Sequence, residues 1–216
     1  MVVSGLAFRR LGAWRPGCYS ASRLLLTLAV ALALVLGLVR PFLLGVYAVP
    51  SASMSPALRV GDRVLVSPIP YRFRAPEVGE VAVFRTLGAP QGWGIPRTKR
   101  VVAGPGEAIR IQAEEGTERY LLYIDGHPIR EPYVHGVMAY GLGAHGEVPP
   151  GFELARDGLR IPHDCYLLLG DNRNVSVDSH VFGPVPRAAL QAKVLAVYWP
   201  PQRAGLVRDA ERELAP

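Results

Sequence analysis

With 216 residues, half of them hydrophobic, the chain can bury one good core and carry a membrane segment besides, and it is too apolar to be a disordered tail. Its net charge of +6 lies wholly in the first 61 residues, where Arg9, Arg10, Arg15, Arg23, Arg40 and Arg59 occur without one acidic residue. Beyond them basic and acidic residues balance, so the folded part lacks the net positive charge that a nucleic-acid partner would call for.

The N-terminal region, 1–21, is basic and precedes the uncharged run LLLTLAVALALVLGLV at 24–39, after which Arg40 and Pro41 lead into FLLGVYAV. A bilayer core needs about 20 apolar residues, and arginines at either end can snorkel to the headgroups. One transmembrane α-helix is therefore expected over 22–45, with the lipid bilayer as a partner. Four arginines before the run and one shortly after it predict an inside N-terminus, a single-pass anchor in the cytoplasmic membrane and everything later on its outer face. The same features, with the small residues around 46–48, also fit a cleaved secretory signal peptide. Cys18 and Cys165 flank the apolar run and would lie on opposite sides of a bilayer, so they provide neither a disulfide framework nor a thiolate metal site.

From Asp62 onward the segments RVLVS, EVAVF, AIRIQ, YLLYI, CYLLL and KVLAVYW alternate or run apolar over four to seven residues. Turn residues separate them, notably GPG at 104–106, DG at 125–126 and GDN at 170–172, and no helical period intervenes. A mainly β, antiparallel domain is expected over 46–202. The Gly- and Pro-rich stretch 135–160 reads as a long surface loop, and the charged C-terminal tail 203–216 as frayed or helical.

Directly after the apolar segment comes VPSASMSPAL, which contains Ser51 and Ser53. A serine-rich stretch after a proline is ordinarily a turn, and a nucleophilic serine requires a base. His127, His135, His145, His163 and His180 all lie in loop-like contexts without a motif. The chain uses arginine 22 times and lysine twice, yet it places a lysine at 99, where arginine could not work as a base because its guanidinium stays protonated. By composition alone Lys99 belongs to a solvated basic cluster with Arg97 and Arg100. To act as a base its pKa must fall from about 10.4 toward roughly 7 to 8, which burial beside Val101 and Val102 could achieve.

VPSASMSPAL with GDRVLV, then KRVVAGPGE, then GDNRNVSVDSH with FGPVP follow one another in this order, and the set closely resembles bacterial-type signal peptidase I from about Arg40 to Trp199. The resemblance implies a catalytic domain of the signal peptidase/LexA-like fold and a serine endopeptidase that removes signal peptides from secretory preproteins after small residues, without cofactor or metal. By motif position it implies Ser53 as nucleophile and Lys99 as base. Ser51 would join the Ser53 backbone N–H in the oxyanion hole, Ser176 would orient the lysine, and Asp178 would be a structural carboxylate. It places Asp171, Asn172 and Arg173 in the turn that holds these two. Tyr47, Val49, Pro50, Met54, Leu58 and Thr98 match the substrate-binding surface; for Leu58 core packing is an equal reading.

The chain departs from the family pattern in three ways: His180 stands where many members have Arg, Val175 where many have Asn, and Glu80 and Glu107 where Asp is usual. A neutral imidazole pairs less firmly with Asp178 than a guanidinium would. A self-cleaving repressor of the LexA type shares the dyad and the β fold, but would need a DNA-binding helical domain where the apolar run stands. A specialised relative with one dedicated substrate, or an inactive peptide-binding one, remains an alternative reading of these motifs.

Overall fold

A computed structural model describes residues 16–39, 43–85, 96–114, 116–117, 119–134, 136, 138–142, 148–156 and 158–214. Contacts divide the chain into two units, residues 1–41 and 42–216.

In the first unit an α-helix, α1 (Pro16–Leu34), continues as a π-helical turn, Val35–Val39. Proline suits the first helical position, and the Leu- and Ala-rich sequence that follows has high helix propensity. Thr27 spends its hydroxyl on the Arg23 carbonyl four residues back, at 2.8 Å, so its polar group is satisfied within the helix. Among the described residues no helix is long and apolar enough to cross a membrane. Arg40 and Pro41 lie outside the described residues.

The second unit is built on two antiparallel sheets. The larger one runs β1 (Gly45–Ala48), β2 (Arg63–Ser67), β12 (Leu190–Trp199), β3 (Val81–Phe84), β4 (Arg97–Ala103), β10 (Cys165–Leu169), β11 (Val185–Pro186), with β13 (Gly205–Leu206) added beside β12. The smaller runs β14 (Glu213–Leu214), β7 (His127–Arg130), β6 (Tyr120–Ile124), β5 (Ala108–Ala113), β9 (Gly158–Arg160), β8 (Glu153–Ala155). Short helices α2 (Ile69–Phe73) and α3 (Ser179–Phe182) complete the unit.

All four residues of β3 are apolar and buried, because the sheet is covered on both faces there. Val81 and Val83 pack with Val64, Val66 and Val194, whereas Ala82 and Phe84 pack with Val101, Tyr166 and Leu168. A third cluster, including Ile109, Ile111, Leu122, Leu159 and Leu167, joins the smaller sheet to β4 and β10.

The six apolar runs expected as strands are all strands. Two expectations about irregular segments are corrected. The stretch 135–160 contains the hairpin β8–β9 and a bridge from Leu142 to Ile111, so it is only partly a loop. The segment 203–214, expected as a frayed or helical end, is instead a strap that forms β13 against β12 and β14 against β7. Charge holds it down: Arg203 pairs with Asp62, Asp209 with Lys193, and Arg212 with Glu107. Gly79 must be glycine where the strap crosses it, since a Cβ there would sit 2.0 Å from the Ala210 carbonyl oxygen, and its φ is +93°.

Candidate active site

Ser53 lies in a 3₁₀ turn, Ala52–Met54, between β1 and β2. Met54 and Val49 fill the core beneath β2 and fix this turn from below. From above it is held by the GDN turn after β10: the Asn172 backbone N–H donates to the Ser53 carbonyl at 3.0 Å, and Asn172 Nδ2 donates to the Ala52 carbonyl at 3.3 Å. Gly170 permits that approach, because a Cβ there would lie 2.5 Å from the Ser53 carbonyl oxygen and 2.3 Å from Ser176 Oγ. The Ser51 and Ser53 hydroxyls are 3.2 Å apart.

Lys99 lies on β4 and is only 4% exposed. Its Nζ donates to Ser176 Oγ at 2.5 Å. Burial is the main influence on the amine and lowers its pKa to about 8, aided by Arg97 and opposed by the carboxylates of Asp178 and Asp171. The solvated basic cluster read from composition is thereby corrected. Arg100, its neighbour, is also buried and makes a bidentate ion pair with Asp171 at 2.7 and 2.8 Å, with its guanidinium 4.5 Å over the Tyr133 ring.

Asp178 is fully buried and caps α3. It accepts the Gly170 N–H at 2.9 Å and makes a close contact with His180 Nδ1. Burial would raise its pKa, but hydrogen bonds from His180, Gly170 and Ser176 outweigh that and hold the carboxyl below the usual range. Ser176 thus stands between the Lys99 amine and the Asp178 carboxylate. Arg173 braces the same turn, donating to the Gly170 carbonyl at 3.0 Å and pairing with Glu131 at 2.6 Å.

A cleft of about 510 Å³ brings Ser51, Ser53 and Lys99 together with Tyr47, Val49, Pro50, Met54 and Thr98. Leu58 does not line it; it is completely buried in the cluster under β2, and of its two readings core packing is the one found. Ala48, Pro96, Arg97, Val175 and Val177 also line the cleft and were not expected. Val175 and Val177 alternate with the buried Ser176 in the sequence, and that pattern is the one signal that could have placed their side chains outward. The chemistry available is that of a hydroxyl, an amine of lowered basicity and an apolar trough beside them. Among the described residues no group of His, Cys, Asp and Glu side chains is placed to hold a metal.

Comparison with known proteins identifies the family. The family described as signal peptidase, peptidase S26, matches residues 21–199. A probable signal peptidase I-2 of Synechocystis is 35% identical over 190 residues, covering 87% of this chain and 78% of that protein. A signal peptidase I of Leptolyngbya laminosa is 32% identical over 183 residues, covering 83% and 80% respectively. The crystal structure of a signal peptidase I from Enterococcus faecalis, 25% identical, covers 56% of this chain and 97% of that one at a TM-score of 0.39, too low for the superposition to carry weight. The sequence matches suffice: this chain belongs to the signal peptidase family, peptidase S26.

Proposed function

We propose that the chain removes N-terminal signal peptides from secretory preproteins, cutting after small residues with Ser53 as nucleophile and Lys99 as general base. The observation that carries this reading is the amine itself: a lysine with its pKa lowered to about 8, sharing a cleft with a serine hydroxyl and anchored by another. A base works best with a pKa near the operating pH, which an ordinary lysine misses by three units or so.

In this mechanism neutral Lys99 takes the Ser53 Oγ proton as the oxygen attacks the scissile carbonyl. The resulting oxyanion is met by the Ser51 hydroxyl and the Ser53 backbone N–H. Lys99 then gives its proton to the leaving amine, and an acyl-Ser53 ester remains. A water molecule, deprotonated by the same amine, hydrolyses that ester and restores Ser53. Ser176 and Asp178 hold the amine in place, and no step needs a metal or cofactor. In the resting arrangement the amine's hydrogen bond goes to Ser176; substrate-free sites commonly tighten only when the substrate binds. Tyr47, Val49, Pro50, Met54 and Thr98 offer shallow apolar contacts that suit an Ala-x-Ala sequence.

The anchor belongs to the same proposal. Residues 22–45 would span the bilayer once, with the N-terminus inside and 46–202 on the outer face. The α-helix and its π-helical continuation carry the apolar run 24–39, and Leu24, Leu25, Leu26, Leu28 and Leu32 are each more than half exposed, as lipid-facing residues would be. Cleavage of a synthetic precursor peptide by the purified chain, intact in wild type and abolished in Ser53→Ala, tests the reading; full cutting by Ser53→Ala refutes it.

A further inference from the structure

Behind Asp178 lies an arrangement that the reaction just described does not use. His180, on α3, brings Nδ1 against one oxygen of the Asp178 carboxylate, while its ring lies flat on Tyr140 with centroids 3.9 Å apart and planes 17° apart. The Tyr140 hydroxyl is buried and has no hydrogen-bond partner among the described residues, so the ring face, not the hydroxyl, is what Tyr140 contributes. The imidazole side chain is 17% exposed and Asp178 is fully enclosed. The second Asp178 oxygen is already engaged by the Gly170 N–H, which leaves His180 as the only titratable side chain paired with the carboxylate among the described residues.

We propose that the Tyr140–His180 stack is a clamp on Asp178 through which His180 acts as a positioning residue, setting how readily Lys99 gives up its proton. This rests on the reading of Lys99 as general base. A bare carboxylate near an amine favours the ammonium, and Asp178 does act on Lys99 in that sense. A cation against the far side of the carboxylate offsets that pull and frees the amine, whereas a neutral ring leaves it in force. His180 can be either, which fixed partners such as arginine or asparagine cannot.

The groups that bear on the clamp are few. Asp178 caps the same helix, Lys99 comes from β4 across Ser176, and Tyr140 from the segment 138–142. Arg173 and Glu131 lie near enough to act on Tyr140, and they neutralise each other as an ion pair.

Lysine count makes a direct test possible, since Lys99 and Lys193 are the only two lysines in the chain. We would titrate ¹³Cε-lysine-labelled full-length protein in detergent by NMR, with Lys193→Arg assigning the two signals, and compare His180→Arg with His180→Asn. The Lys99 midpoint should lie about one pH unit lower in the Arg variant than in the Asn variant, with wild type between them or at one limit. Tyr140→Leu, which unclamps the ring, should move Lys99 in the direction of the Asn variant, and Tyr140→Phe should leave it unmoved. Coincident midpoints in the Arg and Asn variants overturn the proposal; should one of them not fold, an unmoved signal in Tyr140→Leu does so. Peptide cleavage measured across the same pH range separates the two readings. If the NMR midpoints differ but the acidic limb of the rate does not follow them, the clamp stands and Lys99 is not the base.

Discussion

The two lysines occupy one row of the larger sheet, Lys193 on β12 and Lys99 on β4, each paired in register with Ala82 of β3 between them. Their fates are opposite. Lys193 meets two carboxylates, Glu80 at 2.9 Å and Asp209 at 2.5 Å, and these hydrogen bonds outweigh burial and hold it above its ordinary pKa. Lys99 meets a hydroxyl, and burial prevails. An amine given carboxylates is a structural cation; the same amine given a neutral oxygen and little water becomes a base.

The comparison breaks most sharply at Lys99 itself. Lys99→Ala should lower kcat/KM on a precursor peptide by about 10³ to 10⁴, and Lys99→Arg should be no better, because a guanidinium keeps its proton. Gly170→Ala comes next. Its Cβ would force apart Ser176 Oγ and the Ser53 carbonyl, and a displacement of that kind should cost about a hundredfold in kcat with the fold retained by circular dichroism. In wild type, Lys99 must be uncharged to accept a proton, so activity should fall about tenfold per pH unit below about 8 and level off above it. A flat profile from pH 5 to 9 would remove lysine as the base. The smallest effect belongs to Lys193→Met. Glu80 retains Arg74, so stability should drop by roughly 1–2 kcal/mol in urea while kcat/KM changes less than about twofold.

Those contrasts were only half legible in the sequence. The six apolar runs gave their strands because alternation and flanking turns are local signals, whereas only the apolar end of β4, Val101 and Val102, reads as strand, and its first half, Arg97, Thr98 and Lys99, looks like surface. Its polar face is buried by partners remote in sequence: Asp171 for Arg100 and Ser176 for Lys99. The strap at 203–214 was missed for the same reason, since its strands are two residues long and its hold on the domain is ionic. The motifs singled out Ser53, Lys99 and Ser176, which the fold brings together, yet could not separate Leu58, which is core, from Met54, which also lines the cleft. That separation depends on which way a side chain points, and nothing local encodes it.

The place of β12 in the larger sheet has a temporal consequence. Ser53 precedes β2 and Lys99 lies on β4, and in space β12 separates β2 from β3 and β4 although it comes almost last in the chain. A growing or partly translocated polypeptide already holds both reacting groups long before it holds the strand that knits their halves together. On the reading of Ser53 and Lys99 proposed above, proteolytic competence waits for a strand made near the end of synthesis.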